Sequence, residues 1–377
     1  MNTLNALVDT APAKIGDTID SVDTPSLILD LDAFEANVRR LQAWAAQHGV
    51  AVRAHAKAHK CPTIALRQIA MGAIGICCQK VHEAAAFVQA GVGDVLIANE
   101  VVGASKLALL AELTRHARMA VCVDDQRNLA AVAEAMQKAG ATIDVLVEID
   151  VGQGRCGVKS AESALRLAQQ AGATPGVRLR GIQAYHGGIQ HLRSADARAA
   201  RCEMVAQHIR TLLSTMRQAG LIVETVSGAG TGSARYDAPG GVFTELQAGS
   251  YAFMDADYGR NEWDETLRFQ TSLSLLTTVM STTSTDQCVL DAGLKAMSTE
   301  SGMPEVMERS SLRVKAVNDE HTIVTVHEGT LPPALGDRLR LVVPHVDPTF
   351  NLHDVVVAVR NGVVEDVWAI TARGPGR

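Results

Sequence analysis

The stretch Arg53-Ala-His-Ala-Lys57-Ala-His-Lys60 ends a short apolar run and carries a basic side chain at every other position. In an extended chain alternate side chains share one face, so Arg53, His55 and Lys57 are expected to project together. Apolar surroundings disfavour the charged ammonium, which is how a lysine becomes a nucleophile at neutral pH. A basic strand end on the surface reads the same from these residues alone, and the rest of the chain has to decide.

Outward from that run, a rhythm appears. Apolar runs end near His55, Cys77, Ile97, Val123, Ile149, Tyr185, Ser227 and Ala248, and each of the first seven is followed by a helical pattern, as at 80–90 and 125–139. Strands alternating with helices favour an α/β fold, a closed (β/α)8 barrel of the TIM type, over an open doubly wound sheet. Ser26-Leu-Ile-Leu-Asp30 reads as one more buried strand, followed by a helix over 33–47 capped by Asp32. A ninth strand does not fit the barrel, so it is expected to pair elsewhere. From about Leu267 the texture changes, and 273–280, 287–291, 312–317, 322–327, 339–343, 355–359 and 364–368 are strand-like with turns between them. The expected organisation is a barrel over 32–262 and a mostly-β domain made of 1–31 plus 263–377.

With 377 residues and 47% hydrophobic side chains the chain can bury a large core. The net charge of −6 is mild and its Lys and Arg are scattered, which excludes nucleic acid as a partner. No apolar run reaches membrane length and residues 1–21 show no export signal, so no membrane partner and a cytoplasmic location are expected. Cys61, Cys77, Cys78, Cys122, Cys156, Cys202 and Cys288 show neither CxxC nor zinc-finger spacing and read as reduced core thiols.

In a barrel, chemistry collects where strands end at their carboxyl side. Lys57, Gln79, Arg155 and Tyr185 follow the first, second, fifth and sixth runs, and Ser227-Gly-Ala-Gly-Thr-Gly-Ser233 the seventh. The glycine run offers backbone N–H groups and the Thr231 hydroxyl to an anion, or is a plain loop. Ser233 replaces the third glycine of GxGxxG, and GxxxxGK[ST] is missing, so no dinucleotide or P-loop site is expected. Gln247-Ala-Gly249-Ser250-Tyr251 follows the eighth run, where Gly249 permits a phosphate to approach. In Pro-His345-Val-Asp347-Pro the two side chains share one face of an extended segment, as metal ligands or as a surface pair.

Taken together, RAHAKAHK from Arg53, CCQKVHEA from Cys77, VEIDVGQGRCGV from Val147, GIQAYHGGIQH from Gly181, SGAGTGS from Ser227, ELQAGSYAFMDADYG from Glu245, LDAGLKA from Leu290, NDEH from Asn318 and PHVDPTFNLHD from Pro344 resemble the D-threonine aldolase family. That family lies among the fold type III pyridoxal phosphate enzymes, with alanine racemase, eukaryotic-type D-serine dehydratase and 3-hydroxy-D-aspartate aldolase. The resemblance runs in order along nearly the whole chain. It implies a pyridoxal phosphate barrel followed by a β domain that takes in the first strand, as a homodimer.

By this resemblance Lys57 holds the cofactor covalently and Arg155 hydrogen-bonds its phenolic oxygen. Ser227, Gly230, Thr231, Gly249, Ser250 and Tyr251 are similar to the phosphate cup, while Tyr185 and Gln79 line the ring. Gln247 stands where alanine racemase has an arginine facing the pyridine nitrogen, and an uncharged partner is expected to leave that nitrogen largely unprotonated. His345 and Asp347 match a divalent metal pair, with manganese the expected ion and magnesium or cobalt as alternatives; D-serine dehydratase has His-x-Cys there. His191 matches the histidine that takes the β-hydroxyl proton, and His59 is a candidate helper. The implied reaction is cleavage of D-threonine and other small D-3-hydroxy amino acids to glycine and an aldehyde. The rivals are 3-hydroxy-D-aspartate aldolase, a D-serine or 3-hydroxyaspartate dehydratase, and a non-catalytic pyridoxal phosphate carrier.

Overall fold

The computed structural model describes residues 11–375 apart from 285, 308 and 328. The outer ends of the expected β domain, 1–10 and 376–377, lie outside the described residues. The described residues divide into two units, one taking 11–37, Ala252–Arg260 and Phe269–Gly374, the other Val38–Tyr251 and Asn261–Arg268.

The second unit is the barrel. Its parallel sheet runs Ala51–Val52, Glu245–Leu246, Thr225–Gly228, Val177–Ala184, Ile143–Glu148, Arg118–Val123, Asp94–Glu100, Ile76–Cys78, Ala54–His55. The pieces at its two ends are halves of one strand, split at Arg53, so the sheet closes on itself. Arg53 N–H and His55 N–H reach Leu246 O and Ala248 O, each at 2.9 Å. The interior is filled by small and medium side chains, among them Cys77, Leu96, Ala98, Ala120, Cys122 and Leu146. Helices alternate with the strands as expected. Asp125 caps Gln126–Ala139 by accepting the Arg127 N–H, and Gly140 ends that helix at φ +65°.

Two local expectations change. The alternation of Arg53, His55 and Lys57 does not survive, because the chain leaves the extended state after His55 and Lys57 sits in the 3-10 turn Ala56–Ala58. Arg53 is fully buried, donating to Glu245 at 2.9 Å and Asp94 at 2.6 Å. Burial opposes its charge, and the two carboxylates outweigh that and raise its pKa. The helix Leu31–Gln47 is capped two residues earlier than expected. Asp30, not Asp32, accepts the Ala33 N–H at 3.0 Å, and Asp32 pairs with Arg360 instead.

The first unit carries an open sheet in the order Leu312–Val317, Thr322–Val326, Gln287–Leu290, Leu273–Ser281, Ser26–Asp30, Val355–Arg360, Val363–Ala369. The short strand Glu305–Val306, which the sequence did not announce, pairs with Arg338–Val342. As expected, Ser26–Asp30 is outside the barrel. It lies antiparallel to Leu273–Ser281 and parallel to Val355–Arg360, with Leu27, Ile28 and Leu29 all buried. A central strand covered on both faces is apolar without alternation, as this one is.

Candidate functional site

The turn carrying Lys57 is fixed from two sides of the barrel. His55 Nδ1 lies 3.1 Å from Cys77 O, which only accepts, so Nδ1 donates and Nε2 accepts from the Gln79 amide at 3.0 Å. Gln79 is held in turn by Glu83, which accepts its N–H at 2.9 Å, and by Asn99, which donates to its carbonyl. From the other side comes Gly249, where an added Cβ would lie 2.9 Å from His55 O and 3.1 Å from the Ala58 methyl. The neighbour that requires glycine here is the Lys57 turn. His59 is fully buried, with Nδ1 accepting the Cys61 N–H at 3.0 Å and its ring edge-on to Phe87.

The glycine run is clamped by Gln190, a residue the sequence did not single out. Gln190 Oε1 accepts the Gly232 N–H at 2.9 Å and Nε2 donates to Ser233 Oγ at 3.0 Å, while a Cβ on Gly230 would lie 2.5 Å from that Oε1. Thr231 Oγ1 accepts the Tyr251 N–H at 2.9 Å, which ties the run to the turn Ser250–Ala252. Burial pushes the Tyr251 phenol up, against the hydrogen bond from Gln68. His191 ends the 3-10 turn Gly187–His191 directly after Gln190 and is exposed. Ser227 differs from its neighbours in the run. Its buried hydroxyl donates to Glu245 at 2.6 Å and accepts from Gln247 at 2.7 Å.

Arg155 stands on the loop after the strand Ile143–Glu148. Asp150 accepts the N–H groups of Gly152 and Gly154 at 3.0 and 2.9 Å, and Asp124 accepts that of Gly157 at 3.0 Å. Gly157 has φ +102°, and a Cβ there would lie 2.5 Å from Asp150 N, so the loop depends on glycine at that point. The Arg155 guanidinium is exposed and lies over the Tyr185 ring, 5.6 Å from its centre. Beneath the loop, ligand atoms of Glu100, Asp124 and Cys156 fall within 4.8 Å of one another. Glu148 feels the charges of Glu100 and Asp124 in this group. Burial, and then the charge of Glu100, pushes its carboxyl up to about 8, and its Oε2 has no hydrogen-bond partner among the described residues. The only trace of this group in the sequence is an acidic residue at the end of three successive apolar runs.

In the other unit, His345 precedes the short helix Val346–Phe350 and Asp347 lies in its first turn, so the pair is at a helix start and not on the expected extended segment. His345 Nε2 is 3.8 Å from Asp347 Oδ1, while Nδ1 contacts Glu300. Burial opposes ionisation of Glu300, yet the hydrogen bonds from His345 and Ser301 hold its carboxyl below the usual range. Asp255 holds the segment between His345 and Asp347, its buried carboxylate accepting the Val346 N–H at 3.0 Å and the Tyr258 N–H at 2.9 Å. One imidazole nitrogen and one carboxylate oxygen this close, with the second nitrogen on a carboxylate, is a donor set that fits a divalent cation.

The family model for the alanine racemase N-terminal domain matches residues 29–257, and that for a putative serine dehydratase domain matches 272–359. The chain is 57% identical to a D-threonine aldolase of an Arthrobacter species, over 97% of both chains. It is 44% identical to a 3-hydroxy-D-aspartate aldolase of Paracoccus denitrificans, over 97% of this chain and 96% of that one. The crystal structure of D-threonine aldolase from Filomicrobium marinum superposes with a TM-score of 0.95 at 48% identity, covering 97% of this chain and 99% of that chain.

Proposed function

The chain belongs to the D-threonine aldolase branch of the fold type III pyridoxal phosphate enzymes, and from that premise we propose how its residues divide the work. It is an aldolase of D-3-hydroxy amino acids, a lyase that breaks a carbon–carbon bond. In such a cleavage the β-hydroxyl loses its proton, the Cα–Cβ bond breaks as an aldehyde forms, and the electron pair left at Cα takes up a proton to give glycine. When bound, pyridoxal phosphate supplies the sink for that electron pair, and a divalent cation supplies the charge that acidifies the hydroxyl.

Lys57 holds the cofactor covalently, on a turn fixed by His55, Gln79 and Gly249. Arg155 donates to the phenolic oxygen with a planar fork that lysine lacks, and Tyr185 backs its guanidinium. The Thr231 and Ser250 N–H groups and the Thr231 hydroxyl, whose proton is left over from the bond to Tyr251 N–H, hold the phosphate, while the Gly230 N–H is spent on Ser233 Oγ and shapes the run. His191 accepts the hydroxyl proton, and His59 helps by holding the end of the Lys57 turn. His345 and Asp347 hold the cation, proposed to be manganese, with magnesium or cobalt as substitutes. D-threonine is proposed as a substrate, acted on by a cytoplasmic homodimer.

The observation that carries the metal-assisted reading is the pairing of His345 Nε2 with Asp347 Oδ1, with Glu300 on the other nitrogen. A carboxylate in place of the cysteine of D-serine dehydratase favours a harder cation and cleavage over loss of the hydroxyl. The test is incubation with pyridoxal phosphate, manganese and a panel of D- and L-3-hydroxy amino acids, with glycine, aldehyde and keto acid quantified. D-threonine should give glycine and acetaldehyde, L-threonine nothing, and a chelator should abolish turnover until manganese is returned. Full activity in excess chelator, or 2-oxobutyrate as the product, contradicts this reading.

A further inference from the structure

Arg53, Glu245, Ser227, Gln247 and Gln183 form one hydrogen-bonded chain in the barrel, and none is more than 3% exposed. The direction of every bond follows from the charged end. Arg53 only donates, and its Nε meets Glu245 Oε1 at 2.9 Å. Ser227 Oγ lies 2.6 Å from that same oxygen and gives it its single proton. Toward Gln247, therefore, Ser227 has only a lone pair, and the atom facing it at 2.7 Å has to be the amide nitrogen. The second amide hydrogen goes to Gln183 Oε1 at 2.6 Å. With both hydrogens of Gln247 engaged, its Oε1 makes neither bond and is the atom left to a ligand. An amide can usually flip to present either end. This one is held by a chain anchored on a permanent charge.

We infer that Gln247 is a fixed hydrogen-bond acceptor for the ring nitrogen of pyridoxal phosphate and keeps that nitrogen protonated; the inference rests on the cofactor reading above. The phosphate and phenolic oxygens of the cofactor are acceptors and match donors. Its ring nitrogen is the atom that can meet an acceptor, and it does so only while carrying a proton. A hydrogen bond from the charged form of a group favours that form. The sequence expectation, that an uncharged partner leaves the nitrogen unprotonated, holds for a side chain that donates and is reversed for one locked as an acceptor. A protonated ring is the stronger electron sink. The charged groups along the chain are Arg53, Asp94, Glu245 and Arg180, whose guanidinium is 3.8 Å from Glu245 Oε2; Glu245 reaches Gln247 through Ser227.

The experiment is nitrogen NMR of the full-length protein reconstituted with cofactor labelled at the ring nitrogen. The unsubstituted protein should show the pyridinium resonance at neutral pH. Gln247→Arg, which presents donors alone, should shift it to the unprotonated position. Ser227→Ala removes the acceptor that orients the amide and should shift it part of the way. An unprotonated nitrogen in the unsubstituted protein, or a resonance that both substitutions leave in place, overturns the inference. Failure of the cofactor reading looks different, as no label retained after dialysis and no modified Lys57 after borohydride reduction, and it takes the inference with it.

Discussion

His345 has two ring nitrogens, and Glu300 engages one of them. A carboxylate accepting from Nδ1–H leaves the Nε2 lone pair as the ligand, on the side of Asp347. Loss of such an orienting carboxylate weakens metal binding about 10–100-fold. Glu300→Gln should do so for manganese, read by calorimetry on the whole protein, and an unchanged affinity would detach Glu300 from the pair. Glu148 is the opposite case, a buried carboxyl whose Oε2 has no hydrogen-bond partner among the described residues. Its pKa rises from the ordinary 4.5 to about 8 on folding, so between those values the folded chain holds a proton that the unfolded chain has released. Stability contributed by this group is fully present below the lower value and is lost as pH rises through the upper one. Glu148→Gln should therefore gain on the unsubstituted protein as pH rises toward 8, by on the order of 2–4 kcal/mol. Urea unfolding across that range reads it; a pH-independent difference between the two proteins argues against the shift. Neither carboxyl was legible in the sequence, because each gains its meaning from residues remote in the chain.

The strand ends are where elements meet, and Gly249 joins the last of them to the Lys57 turn. A methyl there meets His55 O at 2.9 Å and Ala58 at 3.1 Å, and neither is the end of a flexible side chain. Gly249→Ala should displace the turn by a few tenths of an ångström and lower kcat/KM for D-threonine roughly 10–100-fold, since misplacement on the scale of 1 Å costs about 100-fold. Retained activity with unchanged cofactor absorbance would show that the turn tolerates the shift. Elements of several residues were readable in advance, since apolar runs and helical spacing repeat over enough positions to be recognised. Glu305–Val306 is too short to leave a period, and the burial of the Arg53 side chain is made possible by Glu245 and Asp94, remote carboxylates that local spacing cannot reveal.

For the whole molecule, the barrel and the mostly-β sheet were legible because each has its own texture, alternation with helices in one and strand after strand in the other. Of the residues proposed to act, type and position at strand ends single out Lys57, Arg155 and the glycine run in the barrel, and the close spacing of His345 and Asp347 singles out that pair in the other unit. What was hidden is the wiring between them, the Gln190 clamp, the fixed Gln247 amide and the carboxyls under Arg155. The place of Ser26–Asp30 between Leu273–Ser281 and Val355–Arg360 has a further consequence, for biosynthesis. The same gap is bridged by Arg360 and Asp32, 328 residues apart. Translation delivers this strand before every barrel strand and its parallel neighbour after all of them. On the ribosome Leu27, Ile28 and Leu29 thus remain without their sheet until every barrel strand has been made, a segment for a chaperone to cover, while the barrel strands can gather as they emerge. The β sheet closes after the barrel strands are made, around a strand that was made before any of them.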